Sequence, residues 1–128
     1  MICVSIIAPT PERIEREIHF ATPLADLLEL RMDYAPRADL KRLIETRRKP
    51  VIVTCRPERE GGQFRGEESE RLALLQRAID LGADYVDVEW DSVGALRRGG
   101  RTRMIVSRHD FRGVPENLES LHAELVAA

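Results

Sequence analysis

Polar residues capable of acid–base and ion-binding chemistry recur wherever an apolar run of this chain gives way to a loop. They are Ser5, then Glu29 with Arg31, Arg56 with Glu60, Asp87 with Glu89, and Ser107 with His109. Gathering so many polar groups at one place costs several kcal/mol unless they pair with one another or with a ligand (roughly 2–7 kcal/mol per unpaired group). One reading is a structural ion-pair network. The other is a pocket for a small anion, with Arg31 and Arg56 for a carboxylate and His109 as proton shuttle. A histidine at a strand end, with the carboxylate of Glu60 available from a neighbouring loop, is a usual general acid–base arrangement. His19 and His122 fall in helical patterns and read as surface or packing residues, and Tyr85 and Trp90 as core.

The elements that must position these groups alternate. Residues 2–7 are nearly all apolar and predict a strand buried on both faces. Thr10 followed by Pro11 is a helix start, and Ile14 and Ile18 continue it over 11–21. A second strand over 27–31 places Glu29, Arg31 and Asp33 on one face. Leu40, Leu43 and Ile44 line a second helix ending in Arg47, Arg48 and Lys49, a solvated basic end suited to the helix dipole. Residues 51–55 form a third strand. The helix begun by Glu67 and Glu68 carries a stripe of Leu72, Leu75, Ala78 and Ile79 and is stopped by Gly82. In a fourth strand, 84–89, Asp87 and Glu89 oppose Val86 and Val88. A short helix is expected within 91–98, a fifth strand over 103–107, and a last helix opened by Pro115 with Leu118, Leu121, Leu125 and Val126 inward. This is α/β with parallel βα units, either a doubly wound sheet or part of a barrel.

Composition excludes several classes. The 128 residues are 43% hydrophobic and 33% charged, with a net charge of −2, so neither nucleic acid nor a membrane surface is an expected partner. No signal-peptide pattern is present, and a cytoplasmic protein with buried thiols at Cys3 and Cys55 is expected. No CxxC or HxxxH spacing supports a metal. The turn Ala8-Pro9-Thr10-Pro11 has no dinucleotide glycines, and no phosphate loop is present. No cofactor is expected.

Four stretches together resemble type I 3-dehydroquinate dehydratase: Glu29-Leu30-Arg31-Met32-Asp33, the TxRxxxEGG pattern within Pro50 to Gly62, Gly82 to Glu89, and Ile105 to Phe111. The resemblance covers essentially the whole chain. It implies a (βα)₈ barrel that dehydrates 3-dehydroquinate to 3-dehydroshikimate in the shikimate pathway, through a lysine Schiff base and syn elimination. It implies His109 as general acid–base and Glu60 as the carboxylate that orients and tunes it. Ser5, Glu29, Arg31 and Arg56 are implied as substrate-binding residues.

The family's Schiff-base lysine comes from the sixth strand, and this sequence holds only Lys41 and Lys49, neither expected to reach the pocket. A full barrel takes about 250 residues. Residues 1–128 are therefore expected to be a single partial barrel domain of about five βα units, inactive alone or needing complementation. An exposed apolar inner face would then favour a homo-oligomer or a complementing chain. The alternatives are a non-catalytic anion-binding or assembly module derived from the fold, and a different enzyme using His109 without an imine.

Overall fold

A computed structural model describes residues 1–128. Five strands form one sheet: β1 (Cys3–Ile6), β2 (Leu27–Arg31), β3 (Val51–Thr54), β4 (Tyr85–Glu89) and β5 (Arg103–Ser107). Helices α1 (Pro11–Ala21), α2 (Leu40–Glu45), α3 (Glu68–Asp80) and α4 (Leu118–Ala127) follow β1, β2, β3 and β5, and no α-helix separates β4 from β5. All strand pairs are parallel and the spatial order is β1-β2-β3-β4-β5. That order decides between the two architectures. A doubly wound sheet reverses direction at a switch point, whereas this sheet adds each strand beside the last, as barrel walls do.

Register divides the strands into two faces. Ile6, Leu28, Leu30, Val51, Val53, Val86 and Val88 point toward the helices and are buried with Ile14, Ile44, Leu75 and Ile79 in one core. The opposite, concave face pairs Ser5 with Glu29, Arg31 with Thr54, Thr54 with Asp87, and Glu89 with Ser107. Its upper layers are thus polar. The expected apolar inner face is reduced to Leu27, Ile52 and Tyr85 in the lower layer and Ile105 beside Asp87, all half-buried.

Local signals explain the helix ends. Thr10 caps α1, its Oγ1 accepting from the Arg13 N–H at 3.4 Å, with Pro11 in the first turn. Gly82, at φ +76°, ends α3 in a Schellman turn. Its N–H meets the Ile79 carbonyl at 2.9 Å and that of Ala83 meets Ala78 at 3.0 Å.

Several expectations are corrected. β1 is an edge strand with Cys3 and Ser5 exposed, because its concave side has no covering layer; Cys3 is therefore not a buried thiol, and both cysteines are free. The short helix expected within 91–98 is a single 3₁₀ turn, Val93–Ala95, with Gly94 at its centre. The last helix starts at Leu118, after Asn117 rather than at Pro115; it buries Leu121, while Leu118 and Val126 are exposed. Trp90 is 37% exposed beneath the Arg108 guanidinium (5.2 Å), so it is not core. Arg47 lies beyond α2 and is held rather than solvated, with its Nε 2.7 Å from Asp84 and its Nη1 2.6 Å from the Ile44 carbonyl. No helix is long and apolar enough to cross a membrane.

Candidate functional site

The carboxyl ends of the five strands bring the polar residues into three connected groups. On the β1–β2 side, Ser5 Oγ donates to Glu29 Oε2, and Thr54 Oγ1 donates to Glu29 Oε1 at 2.8 Å. The adjacent Arg31 is clamped by Asp33, its Nε and Nη2 reaching the two carboxylate oxygens at 2.9 and 2.8 Å. These bonds hold the guanidinium pKa above its ordinary value, against burial. Asp33 also accepts the Gln63 N–H at 3.0 Å, tying the β3 loop to β2.

Arg56 forms the centre. Its Nη1 donates to Glu89 Oε1 and to Ser107 Oγ, both at 2.7 Å, and its Nη2 lies 2.9 Å from Asp87 Oδ1. Ser107 Oγ in turn donates to Asp87 Oδ1 at 2.7 Å. One arginine thus ties β3 to β4 and β5. Behind it, Glu89 is also bound by Arg71, whose side chain is fully buried. Arg71 is clamped by Glu68 at 2.9 and 2.6 Å. Those paired bonds pull the Glu68 carboxyl down to about 2, against the rise that burial would cause.

The third group joins β3 to β5. Glu60 closes the 3₁₀ turn Glu58–Glu60, and its Oε2 lies 2.9 Å from His109 Nδ1 while accepting the His109 backbone N–H at 3.0 Å. The Glu60 side chain is 9% exposed and that of His109 40%. A carboxylate acceptor at Nδ1 places the ring proton there and leaves Nε2 as the open nitrogen. Gly61 follows at φ +79°, a left-handed position. A Cβ there would run into the Phe111 ring, which stacks on the His109 ring with centroids 6.4 Å apart and planes at 15°.

All six sequence-selected residues therefore lie at this end of the sheet: Ser5 against Glu29, Arg31 beside Asp33, Arg56 amid Asp87, Glu89 and Ser107, and Glu60 against His109. Sequence reasoning gave no role at the site to Thr54, Arg71 or Glu68. Thr54 was findable, because strand alternation puts it on the face of Ile52 and Arg56. Arg71 had a signal too: it precedes Leu75, Ala78 and Ile79 at inward helical spacing, and these four are the buried residues of α3. The two arginines expected to await a carboxylate are both engaged by carboxylates of the chain. Lys41 is exposed on α2, 3.8 Å from Glu45, and Lys49 precedes β3 at the opposite rim. A cleft of about 1050 Å³ lies between the loops after β2 and β3 and helix α3, and of the sequence-selected and network residues only Asp33 lines it.

The chain matches the family model for type I 3-dehydroquinase over residues 2–128. It is 37% identical over 118 residues to a 3-dehydroquinate dehydratase of Desulfotalea psychrophila, covering 86% of this chain and 51% of that protein. It is 40% identical over 127 residues to one of Methanothermobacter thermautotrophicus, covering 94% of this chain and 57% of that one. The bifunctional 3-dehydroquinate dehydratase/shikimate dehydrogenase of Arabidopsis thaliana matches at 36% over 98% of this chain and 23% of its own length. The 3-dehydroquinate dehydratase structure from Geobacillus kaustophilus superposes with a TM-score of 0.76 at 27% identity, over 94% of this chain and 54% of that one. The chain thus spans about half the length of most of these relatives.

Proposed function

The chain belongs to the type I 3-dehydroquinase family, and from that premise we propose that residues 1–128 form the histidine-bearing part of a site converting 3-dehydroquinate to 3-dehydroshikimate and water. The observation that carries the reading is the Glu60–His109 pair, at 2.9 Å, at the carboxyl ends of the strands. In this reading His109 Nε2 is the general base and acid. It removes the proton beside the carbon that was the ketone, passes it to the departing hydroxyl, and assists formation and hydrolysis of the imine. Glu60 fixes the ring through both Nδ1 and the backbone N–H.

The rim carries more carboxylates than guanidiniums, which supports a cationic iminium more than it supports an anion. We therefore assign Ser5, Glu29, Arg31 and Arg56 chiefly to the substrate's hydroxyls, through the hydrogen-bonding capacity their mutual contacts leave open. The imine-forming lysine comes from outside residues 1–128, because Lys41 and Lys49 lie away from this face. The segment acts as one partial barrel domain of a cytoplasmic biosynthetic enzyme, joined by a second copy or by complementing βα units.

The test is borohydride reduction of residues 1–128 with 3-dehydroquinate, followed by mass spectrometry and a parallel binding titration. Saturable binding without adduct or product is expected. An adduct on Lys41 or Lys49 would overturn the assignment of the lysine, enone formation without an adduct would point to imine-free chemistry, and absence of binding would remove the substrate assignment.

A further inference from the structure

Helix α3 turns four residues toward the core, and the first is an arginine. Arg71 has no exposed surface, and its three guanidinium nitrogens are all committed. Nε and Nη2 donate to Glu68, and Nη1 donates to the Cys55 carbonyl at 3.1 Å and to Glu89 Oε2. A leucine would continue the apolar stripe without stripping a guanidinium of water, so stability alone gives little reason for an arginine. What the arginine does is hold Glu89, itself 1% exposed, by one oxygen while the other receives Arg56 Nη1 at 2.7 Å. Removing that hold loosens Glu89 and leaves Arg56 fixed by Ser107 and Asp87 alone.

We propose that Arg71 is a positioning residue: anchored by Glu68, it orients Glu89 and through it sets the guanidinium of Arg56 on the concave face. The consequence for binding rests on the reading of Arg56 as a substrate contact; the consequence for Arg56 geometry does not. Arg71 reaches the concave face only through Glu89. Its bond to the Cys55 carbonyl is the one contact that a purely structural staple between α3 and β3 would need.

The test uses residues 1–128 as wild type, Arg71→Lys and Glu68→Gln. Side-chain ¹⁵N NMR reads the Arg56 guanidinium, and a titration with 3-dehydroquinate reads affinity. In the wild type the Arg56 Nη protons should be resolved and slow to exchange. Arg71→Lys keeps the charge but loses the fork; the Arg56 signals should average, and affinity should fall about tenfold, the worth of one charge-assisted hydrogen bond. Glu68→Gln, which weakens the outer anchor together with the Arg59 and Ser92 contacts of Glu68, should show the same changes in weaker form. It decides the matter where Arg71→Lys fails to fold. Unchanged Arg56 signals in a folded variant would overturn the proposal, whereas averaged signals with undiminished affinity would uphold positioning and overturn the reading of Arg56 as a substrate contact. If the wild type binds no 3-dehydroquinate, the substrate reading fails, while averaging of the Arg56 signals still upholds positioning and their constancy still refutes it.

Discussion

Gly62 is the position where adding one methyl group should cost most. An ideal Cβ built there overlaps the carbonyl carbon and oxygen of Arg56 and comes within 2.5 Å of its Cβ. Two of those obstacles are backbone and cannot rotate away. Relief requires the loop to lift, which strains the Gly62 N–H bond to the Pro57 carbonyl (3.0 Å) and the Phe64 N–H bond to the Arg56 carbonyl (3.2 Å). Overpacking costs about 1–3 kcal/mol and two lost hydrogen bonds about 1 kcal/mol each. Gly62→Ala should therefore destabilise by about 3–5 kcal/mol, a large share of the stability of an ordinary domain (about 5–15 kcal/mol). The matched control is Gly94→Ala, since nothing lies within 4 Å of that Cβ and φ there is not positive. It should fall within about 0.5 kcal/mol of wild type. Urea denaturation followed by circular dichroism measures both. With a slope of about 1.5–2 kcal/mol/M, the Gly62→Ala midpoint should drop by about 2 M. A midpoint within about 0.3 M of wild type would refute the reasoning, because the Arg56–Gly62 approach would then be easily relaxed.

Other outcomes follow from the same geometry. Glu68 is held at about 2 in the folded chain, against 4.5 for the ordinary group, first by its hydrogen bonds to Arg71. Its stabilising contribution is therefore complete above 4.5 and lost as pH falls through 2, so the wild-type advantage over Glu68→Gln in urea midpoint should shrink across that window. A constant difference would contradict the pairing. Burial first, and then nearby carboxylates such as Asp33, push the Cys55 thiol up to about 12, whereas Cys3 is exposed. Iodoacetamide at pH 8 should thus label Cys3 alone in the folded chain and both thiols in denaturant, as mass spectrometry would report. Leu75 has no exposed surface, and Leu75→Ala should cost about 2–5 kcal/mol by the same denaturation assay.

The extent to which the sequence disclosed this structure depends on which forces act locally. Helix α1 and strands β2 and β5 fall where periodicity and capping put them, because Thr10-Pro11 and the apolar runs act through neighbouring residues. Asp87 and Glu89 oppose Val86 and Val88 for the same reason. Other properties depend on distant parts of the chain. The β1 edge is exposed because no layer covers its concave side, although Ile2 to Ile7 are as apolar as a buried strand. The last helix waits for Asn117 even though Pro115 offers an earlier start. At the site, the participants were legible as strand-end residues but their partners were not. Arg31 and Arg56 read either as members of an ion-pair network or as cations awaiting an anion until the fold placed Asp33, Asp87 and Glu89 against them. Arg71 was hidden by composition, since a charged residue in a helix is ordinarily taken as solvent-facing.

The sequential strand order also sets a timetable. Every strand pairs only with the strands before and after it in the chain, so each strand added has only the crossover immediately preceding it to close. The face then matures in the order in which the ribosome releases it. Ser5 meets Glu29 once the second strand emerges, and Thr54 joins with the third. Arg56 finds Glu89 with the fourth, and only the fifth supplies Ser107 and the histidine that Glu60 holds. A nascent chain therefore owns a surface of hydroxyl and carboxylate groups before it owns a base.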